Sequence, residues 1–183
     1  RLISDTYMNV ANKLTVANLC KFNLESITLS SEMNKSQIDE LITSFEEDYG
    51  FIPPLEMIVY GHIQTMITKH CFIAKEYGFG NKHCGACKNK KLALLDRMNY
   101  SFPITTDSDC NVTIYNSKAI HLIDYIHEIF QMGITSIRLD FSIENPEEVY
   151  NITKAYLDMM IYQEYDLDVN DVTYGYYLDS ENF

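Results

Sequence analysis

Four of the five cysteines in this 183-residue chain, Cys71, Cys84, Cys87 and Cys110, are separated by twelve, two and twenty-two residues. A C-x-x-C pair suits a tight turn that points two thiolates at one ion. Gly85 and Ala86 lie within that pair, two small residues of which the glycine can take unusual backbone angles. Four thiolates match tetrahedral zinc or a 4Fe-4S cluster, both soft-ligand centres. All four cysteines are therefore read as metal or cofactor ligands, with structural zinc the main competitor to a cluster. His70 and His83 flank them and could replace one ligand, although solvated loop histidines are commoner. A Cys84–Cys87 redox pair is the alternative, but the motif follows no strand as a thioredoxin-type site would. Disulfide staples fit poorly with an odd cysteine count and no secretion signal. Cys20, on the apolar face of an early helix, reads as a small core residue.

A second set of polar residues is spread along the chain. Asn9, Glu32, His62 and Asp140 fall at the C-terminal ends of four expected strands, where barrel enzymes collect their active sites. Glu32, His62 and Asp140 could supply a base and a polarising pair for metal-assisted or carboxylate-assisted hydrolysis. Single polar residues at strand ends are mostly ordinary loop residues, so the signal is the set. There is no H-E-x-x-H helix and no G-x-S-x-G elbow. Glu56 lies at the start of its strand, the end that serves stability in barrels. Arg138 precedes Asp140 by two residues on the same strand face, placed to balance that carboxylate. The alternative for Arg138 is a grip on a substrate carboxylate.

The elements that must position these groups alternate short strands with amphipathic helices, the pattern of an α/β chain with parallel strands. Leu2 to Asn9 reads as a first strand and Leu14 to Cys20 as a helix. Ser26 to Glu32 is a second strand, with Ile27 and Leu29 on one face and polar residues on the other. Ser36-Gln37-Ile38-Asp39 resembles a capping box opening a helix to about Asp48, which Gly50 and Pro53-Pro54 end. Leu55 to His62 is a third strand. Ser117 is expected to cap a helix carrying Ile120, Ile123, Ile126 and Phe130, stopped by Gly133. Ser136 to Phe141 is a fourth strand. Asn145-Pro146-Glu147-Glu148 then starts a helix reaching about Tyr162, since proline is tolerated there and acids favour the positive dipole end. Four such units suggest half of a TIM-like (β/α)8 barrel plus a cysteine-rich insertion. The expected organisation is one α/β domain over residues 1–183, with that insertion at about 63–115.

Charge singles out the same insertion. The chain has 14 Lys and Arg against 26 Asp and Glu, a net charge of −12. Residues 69–97 hold seven bases and two acids, a net +5, which leaves −17 for the remainder. Nucleic acid is thus disfavoured as a partner of the whole chain, while the insertion suits an anionic ligand. With 46% hydrophobic and 22% charged residues the composition is that of a globular domain able to bury a core. The longest apolar runs fall far short of the ~20 residues that span a bilayer. The chain opens Arg1-Leu2-Ile3-Ser4, without a charged and apolar leader, and reads as a cytoplasmic piece of a longer protein. Open strand edges in such a piece would favour self-association.

Several runs together resemble the collagenase-like peptidases, family thirty-two among the peptidases of unassigned mechanism. They are Leu55-Glu56-Met57-Ile58-Val59-Tyr60-Gly61, Met66-Ile67-Thr68 with Cys71, Cys84-Gly85-Ala86-Cys87, and Thr106-Asp107-Ser108-Asp109-Cys110. Ile114-Tyr115-Asn116-Ser117-Lys118, Gly133-Ile134-Thr135-Ser136-Ile137-Arg138-Leu139-Asp140-Phe141 and Thr28-Leu29-Ser30-Ser31-Glu32-Met33 continue the set. The resemblance implies the second half of a barrel-like catalytic region, whose partner is the remaining half of the parent barrel. It implies proteolysis of a protein or peptide, while the basic insertion leaves an anionic small molecule as the other substrate class. Similar family members with four cysteines hold an iron–sulfur cluster for oxygen-independent hydroxylation of RNA bases or an aromatic quinone precursor. A non-catalytic zinc-stabilised module is the third expectation. Three positions depart from the family pattern: Ser31 where an Arg is common, Leu139-Asp140-Phe141 where an acidic-Gly-Arg run is common, and Gly175-Tyr176 in place of Gly-His.

Overall fold

The computed structural model describes residues 1–79, 84–88, 90–169 and 171–178; His83 lies outside them. In chain order the elements are α1 (Lys13–Cys20), β1 (Ile27–Thr28), α2 (Lys35–Tyr49), β2 (Leu55–Gly61), β3 (Gln64–Thr68) and α3 (Phe72–Glu76). They continue with β4 (Leu92–Leu95), β5 (Ser101–Thr106), β6 (Val112–Tyr115), β7 (Ile120–His121), α4 (Ile126–Gln131), β8 (Ser136–Asp140) and α5 (Pro146–Tyr162). The chain divides into two compact units, Arg1–Gly61 with Ile120–Phe183, and His62–Ala119. No described helix is long and apolar enough to cross a membrane.

In the first unit β2 is the centre of the sheet. It pairs in parallel with β1 and with β8, and antiparallel with β7. β2 is buried on both faces apart from the half-buried Ile58, as expected of a strand covered on both sides. The core beneath includes Val16, Ile27, Leu29, Ile38, Phe45, Leu55, Ile126 and Ile129, each at most 2% exposed. α2 and α5 start on true capping boxes. Asn34 caps α2 with Gln37, and Asn145 caps α5 with Glu148. In each, the asparagine oxygen and the third-position side chain satisfy orphan amides reciprocally. Gly50, at φ +75°, ends α2 in the left-handed conformation that glycine adopts freely.

Several expectations are corrected here. The first strand is replaced by single parallel bridges, Ile3 to Ser26 and Val10 to Leu29, around a 3₁₀ turn Thr6–Met8. Asp5 forces that turn by accepting the Thr6 N–H at 2.6 Å. The second strand forms a ladder only at Ile27–Thr28, and its polar residues Ser26, Thr28 and Ser30 are buried like its apolar ones. The capping box of α2 starts two residues earlier than the Ser36 motif suggests. The helix expected from Ser117 is interrupted, because Ile120–His121 pairs with β2 and Leu122 N–H donates to Val59 O at 2.9 Å. Long-range pairing with the central strand overrides the helical spacing of the isoleucines.

The strands are not all parallel either. The second unit is an antiparallel sheet in the order β3-β6-β5-β4. Its core is small: Ile73, Ala86, Ile104, Val112 and Ile114, with Leu92 and Phe102 packed against it. The whole is a mixed α/β structure with one mainly parallel and one antiparallel sheet, and among the described residues no closed barrel.

Candidate functional site

Strand register brings one polar network onto a face of the first sheet. Thr28 stands opposite Glu56, Glu56 opposite Ser136, and Ile58 opposite Arg138. Glu56 is only 7% exposed, and Arg138 reaches it at 2.6 Å. The Thr28 hydroxyl sits 2.9 Å from Glu56 Oε1 and 2.8 Å from Ser4 O. Arg138 also donates to Ser4 O, and Asp5 lies 3.4 Å from its other nitrogen. The buried charge of Glu56 is thereby paired and hydrogen-bonded, which is what makes such a pair tolerable. Arg138 turns to Glu56 and Asp5 rather than pairing with Asp140.

A second set of polar groups lies at the far ends of the strands. β2 ends at Gly61, φ +145°, where a Cβ would stand 2.5 Å from the Asp140 carbonyl oxygen. Only glycine permits that approach, so Gly61 sets where β8 delivers Asp140. Partial burial of Asp140 pushes its carboxyl up; Arg138 opposes this, while Asp5 and Glu144 add to it. Glu144 accepts the amides of Ser142 and Ile143 at 2.8 and 3.0 Å and the Tyr60 hydroxyl at 3.1 Å. The loop after β8 is thus tied to β2. Glu32 is exposed in the turn after β1, where its amide donates to Ser30 Oγ. Asn9, at φ 49°, closes the 3₁₀ turn by donating its amide to Thr6 O. The unit therefore presents two carboxylates at strand ends, one of them shifted toward the protonated form.

Sequence reasoning passed over an aromatic nest beside this end. His121 is 5% exposed, stacked on Tyr156 and edge-on to Tyr60. The Tyr156 hydroxyl donates to Val59 O at 2.8 Å and accepts the Leu122 amide at 3.2 Å. Its proton is thus committed, and His121 Nδ1 must be the donor in their 3.2 Å contact. Nε2 is left as an acceptor with no partner among the described residues. Burial lowers the His121 pKa to about 4. No sequence signal marked this histidine, because it sits within a segment that reads as a helix.

In the second unit the cysteines share one end of the antiparallel sheet. Thr68 of β3, Val112 of β6 and Thr106 of β5 form a single cross-strand row. Cys71 lies three residues beyond Thr68, and Cys110 two residues before Val112. The Thr106 hydroxyl stands 3.2 Å from Cys87 Sγ, and the Ala74 amide donates to Cys71 Sγ at 3.4 Å. Cys71, Cys84 and Cys87 pack against the same small core. Gly85, φ +75°, shapes the turn between Cys84 and Cys87, and Cys110 itself takes φ 61° in the β5–β6 turn. None of the four is in a disulfide, and all are of intermediate exposure. Among the described residues no three Cys, His, Asp or Glu side chains stand together as a ready-made metal site. His62 belongs to this unit, and its Nδ1–H donates to Asn116 O at 2.9 Å. His70 is an exposed loop residue.

The sequence model described as Peptidase family U32 matches residues 1–170. The chain belongs to peptidase family U32. No curated protein and no solved structure matches it.

Ser31, and Tyr176 after Gly175, line one small cavity. Ser30, Met33, Met57, Leu122 and Tyr177 are among its other walls. The cavity sits at the end of β1, next in sequence to Glu32.

Proposed function

We propose that this U32 chain is half of a barrel-type enzyme of the peptidase family, and that its second unit holds a soft metal centre on Cys71, Cys84, Cys87 and Cys110. The observation that carries the metal centre is the Thr68–Val112–Thr106 row. It brings the segments bearing Cys71, Cys87 and Cys110 to one end of one sheet, with Cys84 three residues before Cys87. The donor set fits the group: N–H and O–H donors already face two of the sulfurs, and such bonds stabilise thiolate charge. Bound there, zinc would pin the loops of the unit, whereas a 4Fe-4S cluster would supply electron-transfer chemistry.

In the first unit Asp140 and Glu32 are the acid–base groups of this reading. Asp140, pushed toward protonation, suits the acid. The need for a second half is supported by the sheet edges. Among the described residues β8 pairs with β2 alone, and the other side of the sheet carries isolated bridges, Ile3 to Ser26, Val10 to Leu29 and Ile120 to Thr173. Tyr150, Leu157 and Ile161 leave an exposed apolar stripe along α5, 66%, 51% and 65% exposed. Such edges and faces are completed by further strands and helices, or by another copy of the chain.

The test is purification without oxygen, followed by iron, sulfide and zinc analysis of the wild type and of Cys87→Ser and Cys110→Ser. Zinc at one per chain, lost in both variants, supports a structural centre in a hydrolase. Four iron with sulfide, lost in both, supports the same ligand set and moves the chemistry to hydroxylation of RNA bases or an aromatic substrate. Metal content indifferent to both substitutions sinks the centre.

A further inference from the structure

Residues 173–177 are held onto the first unit in an unusual way. Thr173 makes one isolated bridge to Ile120, with the His121 amide donating to Thr173 O at 3.0 Å. The chain then turns at Gly175, φ +59°, where a Cβ would press to 3.2 Å from the Ile120 side chain. Tyr177 follows, 2% exposed, with its carbonyl accepting the Lys35 amide at 3.1 Å. Its hydroxyl donates to Glu128 Oε1 at 2.5 Å, and Lys35 Nζ stands 2.9 Å from the other Glu128 oxygen. Tyr125 packs edge-on against both Tyr174 and Tyr177.

The segment therefore spans from β7 to the start of α2 on one bridge, one turn and one charged clasp. Beneath it Tyr174, Tyr176 and Tyr177 close the cavity whose other walls include Leu29, Ser30, Ser31 and Met33. As it stands, that cavity has room for little more than one water molecule. Tyr156 shows the ordinary core arrangement, its hydroxyl ending on a backbone carbonyl. The Tyr177 hydroxyl ends instead on a carboxylate that also binds a lysine, and both charged side chains are partly open to solvent.

We propose that residues 173–177 are a tyrosine lid hinged at Gly175 and latched by Tyr177, Glu128 and Lys35. Lifting the lid opens an apolar cavity with serine hydroxyls on its wall, next to Glu32. The cavity takes an apolar group carrying a hydrogen-bonding edge. Only this last step rests on the reading of Glu32 as an acid–base group; the lid itself is tested without substrate, metal or turnover.

The test places a thiol in the cavity with Ser31→Cys and follows its alkylation by peptide-resolved mass spectrometry, alongside deuterium uptake of the 171–178 peptide. Tyr177→Phe keeps the buried ring and removes only the hydroxyl, and Glu128→Gln removes the charge. Each should raise the alkylation rate about tenfold, as expected for loss of one charge-assisted hydrogen bond. Uptake should rise in 171–178 and stay level in α2 and β2. Rates and uptake unchanged by both substitutions would overturn the lid. Uptake rising equally across the unit would also overturn it, since the clasp would then be part of the global fold.

Discussion

His121 ties the stability of the first unit to pH with a sign that can be worked out from its surroundings. Folded, the ring is neutral: its Nδ1–H is used on Tyr156, and a proton on Nε2 would find no acceptor among the described residues. Burial lowers its pKa from 6.5 to about 4, with the Asp124 carboxylate opposing weakly. The unfolded chain takes up this proton near pH 6.5 and the folded chain only near 4, so the unfolded state binds more protons between them. Stability is complete above about pH 6.5, falls as pH drops through the window, and loses nothing more from this group below about 4. At 1.36 kcal/mol per unit the full window amounts to about 3 kcal/mol.

The perturbation is His121→Phe, which keeps a ring between Tyr60 and Tyr156 and cannot titrate. At pH 7.5 it should cost about 1 kcal/mol for the lost bond to Tyr156. At pH 4.5 it should be more stable than the wild type. Urea unfolding followed by tyrosine fluorescence reads both, since the chain has 14 Tyr and no Trp. Other titrating groups are common to the two proteins and cancel in the difference. Curves of stability against pH that run parallel for the two proteins would refute the buried neutral histidine.

Two substitutions test the frame that holds the strand ends. Gly61→Ala should cost about 2–4 kcal/mol in urea unfolding, because it meets both a carbonyl at 2.5 Å and a backbone angle of +145°. Arg138→Met strands the Glu56 carboxylate and should cost about 2–3 kcal/mol, below the value for a fully buried pair because the Arg138 side chain is 26% exposed. Adding Glu56→Gln should recover much of that loss, and a double mutant no more stable than Arg138→Met alone would contradict the pairing.

What could be read in advance follows from where the information lies along the chain. α5 was legible because its cap, proline and first-turn acids are contiguous in Asn145-Pro146-Glu147-Glu148. β2 was legible from an apolar stretch bounded by turn residues, and β8 from the alternation of Ile137, Leu139 and Phe141 with Ser136, Arg138 and Asp140. β7 was not, since two residues carry no period of their own and their state is set by Val59 and Tyr60 some sixty positions away. The antiparallel sheet of the second unit was missed for a related reason. Its strands are four to six residues long, and their register appears only when Met66, Ile114, Ile104 and Leu92 are laid across one another. Proximity in sequence pointed from Arg138 to Asp140, whose carboxyl it does influence, whereas its ion pair with Glu56 appears only through the parallel register of β2 and β8.

That register also explains why chemistry is expected at one end of the sheet. Ser4, Thr28, Glu56 and Arg138 satisfy one another in a closed set, with Ser26 and Ser136 paired at 3.0 Å beside them. A charge held in such a set is spent on specifying the fold and has no spare valence for a substrate. Glu32 and Asp140 lie at the opposite ends of β1 and β8, outside that set, and Asp140 is shifted toward its protonated form. In barrel-type sheets the same division separates residues that keep the strands in register from residues that act. Strand-end position singled out the carboxylates in the sequence, and the closed network at the other end is the physical reason for proposing an acid–base role for them rather than for Glu56 and Arg138.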